Sequence, residues 1–100
     1  MSQYVYILLC GDDSYYTGST GDLSRRLYEH QNGRLPGAYT FRRRPVELMW
    51  YTEVPTVIEA LGYEHQIKGW SRAKKEALIR GDVEGIHAIV RAERRRREKQ

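Results

Sequence analysis

Five side chains in this sequence are of the types that cut phosphate esters: Tyr6, Tyr16, Arg26, His30 and Glu64. Phenols and an imidazole move protons, a guanidinium grips a phosphate oxygen, and a carboxylate holds a divalent cation. Hydrolysis of a phosphodiester asks for these together, because it needs activated water, an in-line geometry and neutralisation of developing charge. Arg26 and His30 are one helical turn apart, so a helix would present them side by side. Each residue also has an ordinary reading. Tyr6 and Tyr16 suit any strand, Arg26 suits a structural ion pair, and His30 suits a helix C-terminus. Glu64 could simply pair with Lys68 one turn on, a contact worth a few tenths of a kcal/mol.

The elements that must position them can be read from the chain. Tyr4-Val5-Tyr6-Ile7-Leu8-Leu9-Cys10 is an unbroken apolar and aromatic run, which predicts a central strand covered on both faces. Gly11-Asp12-Asp13-Ser14 is turn chemistry, and Tyr15 to Ser19 reads as the returning strand of a hairpin. Asp12 and Asp13 are expected to be solvated turn residues rather than metal ligands. Asp22 caps a helix to about Gln31, with Leu23 and Leu27 as its buried seam. On a wheel of about 100° per residue Arg26 and His30 flank that seam, whereas Arg25 and Glu29 point away. A Gly-, Pro- and Arg-rich loop runs from Arg34 to Pro45, and Val46 to Thr52 forms a third strand. Thr56-Val57-Ile58-Glu59 is a capping box opening a helix whose apolar face is Val57, Ala60, Leu61 and Ile67. Glu64 projects at about 340° from Val57, in the middle of that face, where an unpartnered carboxylate would cost several kcal/mol. Gly69 ends the helix, Ser71 caps a short one through Ile79, and a last helix carries Val83, Ile86, Ile89 and Val90 before dissolving into arginines.

Length and composition bound the rest. One hundred residues suffice for one domain, placed at residues 1–90, with a basic tail at 91–100. The net charge of +4 resides in that tail: residues 91–100 hold 6 Lys/Arg and 2 Asp/Glu, and the remaining 11 and 11 cancel. The lone Cys10 excludes an internal disulfide and a cysteine-rich zinc site. No apolar run approaches the roughly 20 residues of a membrane helix, and no leader pattern opens the chain, so a cytoplasmic location is expected and no membrane partner.

The ordered set Tyr4-Val5-Tyr6, Tyr16-Thr17-Gly18, Arg26, His30 and Glu64 resembles the GIY-YIG nuclease superfamily over most of the chain, from Tyr4 to about Ile79. Tyr39-Thr40 through Arg44-Pro45-Val46, then Glu64, Lys68 and Lys75 to Leu78-Ile79, resembles its small stand-alone bacterial branch (UPF0213-like). Tyr4-Val5 stands where the family name has Gly-Ile, and Thr17 where it has Ile; the tyrosines and Gly18 are kept. The resemblance implies an α+β fold, a three-stranded antiparallel sheet flanked by helices, without an appended DNA-recognition domain. It implies a divalent-metal-dependent endonuclease acting on DNA, on branched, nicked or otherwise distorted substrates in repair or recombination. By the same resemblance Glu64 would hold one Mg²⁺ or Mn²⁺, Arg26 would contact the scissile phosphate, and Tyr6 would be the general base. Tyr6 would need Arg26 and the metal to bring it down from near pH 10. Tyr16 would orient the water or the phosphate, His30 would bond Tyr6 or relay its proton, and Gly18 would let the backbone come close.

Basic clusters supply candidate DNA contacts: Arg25, Arg42, Arg43, Arg44, Lys68, Arg72 and Lys75, with Lys74 beside them. The run Arg94 to Lys99 reads as a frayed tail that raises affinity without choosing a sequence. Two other classes compete. One is a non-catalytic nucleic-acid-binding module that retains the fold; the other is an interaction domain whose protein partner supplies targeting.

Overall fold

A computed structural model describes residues 2–98. The chain divides into two compact units, Met1–Gly69 and Trp70–Gln100. In the first, the apolar run forms strand β1 (Gln3–Cys10) at the centre of a three-stranded sheet of order β2-β1-β3, with β2 (Tyr15–Thr20) and β3 (Val46–Val54) both antiparallel to it. Val5 to Leu8 are at most 1% exposed, as a strand covered on both faces must be. The third strand runs two residues past the expected Thr52, and a bulge between Ile7 and Leu8 shifts its register against β1.

Alternation divides the side chains between two faces. Tyr6, Leu8, Cys10 and Val46 form one core cluster, closed by Leu23 and Leu27 of helix α1 (Leu23–Gln31), Tyr16 and Leu48. Asp22 caps α1, accepting from the Arg25 backbone N–H. Helix α2 (Val57–Lys68) packs on β1 and β2, with Thr56 accepting from the Glu59 N–H as the capping box requires. Ser19 pairs with Val5 in register and reaches Glu64 of α2, which places α2 on the Val5 face.

The buried stripe of α2 differs from expectation. Ala60 and Ile67 are buried, whereas Val57 and Leu61 are more than half exposed. The stripe therefore centres roughly 50° from Glu64, which sits at its rim rather than in its middle. The Arg34–Pro45 loop contains a single 3-10 turn, Phe41–Arg43, and is tied to the β1–β2 turn by Arg43 Nε donating to Asp12 Oδ2 at 3.0 Å. Asp12 is thus a loop clamp, which also accepts from Ser14.

In the second unit, helix α3 (Arg72–Ile79) packs on α4 (Val83–Glu98). Ser71 caps α3, and Asp82 accepts from the Gly85 N–H at the start of α4. The last helix does not dissolve after Val90: it continues through the arginine run to Glu98, because Ala92, Glu93 and the arginines are good helix formers with no Gly or Pro among them. Lys99 and Gln100, the end of the expected tail, lie outside the described residues. Among the described residues, no helix is long and apolar enough to cross a membrane.

Candidate active site

The fold brings Tyr6, Tyr16 and His30 into mutual contact. Ring centroids lie 6.3 Å apart for Tyr6 and Tyr16, 5.9 Å for Tyr6 and His30, and 5.3 Å for Tyr16 and His30. The Tyr6 hydroxyl is 3.0 Å from His30 Nε2, and His30 Nδ1 is 2.6 Å from Thr40 Oγ1. Tyr6, His30 and Thr40 are each at most 2% exposed, so this hydrogen-bonded chain is largely buried. Gly18 is opposite Tyr6 in register, and a Cβ there would lie 2.5 Å from the Tyr6 hydroxyl oxygen and 3.0 Å from the Tyr16 ring. The glycine is required by space, since its own φ is unexceptional.

Arg26 faces the site and Arg25 faces solvent, as the helical wheel requires; their side chains are 41% and 76% exposed. Glu29 does not point away. It turns back along α1, accepts from Arg26 Nε at 3.1 Å, and holds the guanidinium beside the Tyr6 hydroxyl, which lies within its hydrogen-bonding reach. Burial and the neighbouring Tyr16 hold the Tyr6 phenol well above its ordinary range; Glu64 adds to this and Arg26 opposes it. The expected lowering of Tyr6 by Arg26 is therefore outweighed in the protein alone, because desolvation penalises a phenolate more than one half-exposed guanidinium stabilises it. Burial and the Arg26 charge also hold the His30 imidazole below its usual value, against the smaller effect of Glu29.

Glu64 lies on the α2 side of the edge strand, bonded to Ser19 and Lys68. Ser19 Oγ donates to Oε1 at 2.5 Å and Lys68 Nζ to Oε2 at 2.7 Å. Burial raises the carboxyl, but these two hydrogen bonds and the Lys68 charge outweigh it, so Glu64 lies below the ordinary carboxylate range. The ion pair foreseen as the plain alternative thus exists, in a carboxylate whose field is felt at Tyr6. A carboxylate offers about four lone-pair directions, and two donors leave about two for a cation. Among the described residues no group of three or more His, Cys, Asp or Glu side chains could hold a metal ion. A single ionised carboxylate beside open solvent fits a hard cation such as Mg²⁺, which keeps several waters and takes few protein ligands.

The basic candidates are placed unequally. Arg42 is exposed. Arg43 is engaged within the protein, bonding Asp12 and the Tyr39 carbonyl and lying 3.8 Å over the Tyr39 ring. Arg44 donates to the Phe41 carbonyl. Lys68 sits on Glu64, 5.9 Å from the Tyr16 ring. In the second unit Arg72 pairs with Glu76, Lys75 is half-buried, and Lys74 lies over Trp70. Four contributors were not singled out from sequence: Ser19, Glu29, Thr40 and Arg34. The last lines an open depression of about 440 Å³ with Tyr16, Arg26, His30 and Leu35. Strand alternation around Gly18 could have flagged Ser19. Tyr39-Thr40 belongs to the stretch that resembles the stand-alone branch, but its role shows only in the fold, where the loop's path brings Thr40 to His30.

A tyrosine-bearing hairpin, an Arg–His helix packed on it and a glutamate on the next helix are the arrangement expected of a nuclease-type domain. The GIY-YIG catalytic domain family matches residues 2–77, and the chain belongs to that family. It is similar to a UPF0213 protein of Syntrophus aciditrophicus, 44% identical over 81 residues, 81% of this chain and 93% of that one. A UPF0213 protein of Bacillus pumilus is 44% identical over 79 residues, covering 78% and 79% of the two chains. Among solved structures, the UPF0213 protein BH0048 of Bacillus halodurans is 45% identical over 79% of this chain and 83% of its own, with a TM-score of 0.51. The protein EF2693 of E. faecalis is 38% identical over 81% and 85%, with a TM-score of 0.57. The α+β fold is thus that of these relatives.

Proposed function

We propose that the protein is a divalent-metal-dependent endonuclease that hydrolyses DNA phosphodiester bonds, with residues 1–90 acting as one catalytic domain and 91–100 as a basic affinity segment. The observation that carries this reading is the buried Tyr6–His30 contact, with Arg26 and the Glu64 carboxylate both near enough to act on the Tyr6 phenol. A bound Mg²⁺ or Mn²⁺, held by Glu64, would supply Lewis-acid stabilisation of charge on the phosphate oxygens. Arg26, pre-positioned by Glu29, binds the scissile phosphate.

Free phenolate is scarce at neutral pH in so buried a position, so Tyr6 works as a relay. Its oxygen takes a proton from the attacking water while its own proton passes to His30 Nε2, 3.0 Å away. One O–H bond of water breaks, one forms on Tyr6, and the proton released from Tyr6 rests on the imidazole. Tyr16 packs against both rings and fixes their orientation. Arg25, Arg34 and Arg42 are exposed and hold the DNA backbone; Lys68, Arg72 and Lys75 add positive charge. Selectivity for branched or nicked DNA, in repair or recombination, is what the family resemblance implies, and the small number of groups available to read base edges is consistent with it.

The test is incubation with plasmid and branched oligonucleotides, with Mg²⁺, Mn²⁺ or chelator. Wild-type protein is expected to cleave only with metal, and Glu64→Ala is expected not to cleave. Equal cleavage by both would assign the activity to a contaminant. The closure of Glu64 by Lys68 and Ser19 favours, as second reading, a binding module that retains the fold. That reading requires salt-sensitive DNA binding without metal-dependent cleavage.

A further inference from the structure

Thr40 is 1% exposed, lies on an otherwise irregular loop, and spends its hydroxyl on the imidazole rather than on capping the 3-10 turn that follows it. We propose that Thr40 is a positioning residue: by accepting a hydrogen bond from His30 Nδ1–H, it fixes the imidazole tautomer that leaves Nε2 free to accept the Tyr6 proton. The tautomer claim starts from the contacts His30 makes with Tyr6 and Thr40; its catalytic consequence rests on the nuclease reading above.

The argument is an accounting of donors and acceptors around one oxygen. The Tyr6 hydroxyl has one proton to give and is approached by the Arg26 guanidinium, which can only donate. Were Nε2 protonated as well, two donors would converge on the Tyr6 oxygen and its own proton would lose the imidazole as acceptor. With Nε2 bare, the Tyr6 O–H donates to it across 3.0 Å and the Tyr6 oxygen keeps its lone pairs for the Arg26 guanidinium. A neutral imidazole with bare Nε2 carries its proton on Nδ1, and the atom 2.6 Å from Nδ1 is Thr40 Oγ1. Thr40 therefore sets the direction of the whole chain: Tyr6 to His30 to Thr40. The arrangement follows the general logic in which a third group orients a base and stabilises its protonated form. The loop holding Thr40 is in turn anchored by the Arg43–Asp12 pair, so a surface clamp and a buried tautomer are mechanically linked.

The tautomer is read directly by imidazole ¹⁵N NMR on the whole chain, with no substrate or metal present. In wild-type protein His30 is expected to be protonated at Nδ1 with an unprotonated, hydrogen-bonded Nε2. Thr40→Val, nearly the same shape, is expected to shift His30 toward the Nε2-protonated form, and Thr40→Ser to retain the wild-type pattern. In cleavage assays Thr40→Val should lose about tenfold or more in kcat with KM within about twofold, and Thr40→Ser should recover most of the loss. Protonation at Nε2 in the wild-type protein overturns the proposal even if Thr40→Val fails to fold. An unchanged tautomer in folded Thr40→Val does the same. Absence of cleavage in wild-type protein would defeat the nuclease reading and leave the tautomer result to decide the role of Thr40.

Discussion

Tyr6 is the residue on which the most side chains converge, and two substitutions test its setting. Removing its hydroxyl in Tyr6→Phe leaves the ring packing intact, so DNA binding should survive while metal-dependent cleavage falls by at least about a hundredfold. Gel-shift and cleavage assays on the same preparation check this; cleavage at the wild-type rate would remove Tyr6 from the chemistry. Gly18→Ala forces a methyl against the Tyr6 hydroxyl and the Tyr16 ring. Overpacking of this kind costs about 1–3 kcal/mol, to be read as a lower denaturation midpoint. His30 carries a pH signature. Its folded-state value lies below that of the unfolded chain, so the unfolded state binds more protons and stability rises with pH. The full contribution is present above about pH 6.5 and is lost as pH falls through the folded-state value. The thermal midpoint should decline between pH 7 and 5, before a second decline below about pH 4.5 as Glu64 and Asp12 protonate. A midpoint flat from pH 8 to 5 would contradict the buried, neutral His30.

Among the elements, α2 shows how local chemistry fixes a distant group. The Thr56 cap and the Glu59 backbone set where the helix starts, and two turns later that phase delivers Glu64 to Ser19 at the sheet edge. Thr56→Ala should cost about 1 kcal/mol, visible in a denaturation curve, while activity per folded molecule stays unchanged. The hairpin is more demanding. Because β2 is an edge strand, its residues alternate between two chemistries: Tyr16 and Gly18 on the α1 side, Ser19 on the α2 side. A slip of one residue would exchange the two sets. The Arg34–Pro45 loop, read as a source of phosphate contacts, has a second use, since Arg43 and Arg44 brace the loop and Thr40 completes the buried chain.

For the whole molecule, charge is the property with the longest reach. The net excess lies in residues 91–100, and Arg94, Arg95 and Arg96 are exposed along α4 rather than on a frayed tail. Replacing these three by Gln should weaken DNA binding for every sequence alike and lower the slope of log K against log salt by up to about 3. Fluorescence anisotropy across a salt series measures it; an unchanged slope would detach α4 from the DNA. Much of the molecule was legible in the chain. The uniform apolar run announced a central strand, Asp22, Thr56 and Ser71 announced helix starts, and the wheel separated Arg26 from Arg25, because these depend on residues a few positions apart. The five-residue site was legible only as an ordered set of types. What the tertiary structure alone decided is how those types are used: Glu29 bracing Arg26, Lys68 and Ser19 closing Glu64, Tyr6 pushed up rather than down, and Thr40 behind His30. Burial and hydrogen-bond direction are set by groups far apart in the chain, and no local pattern encodes them.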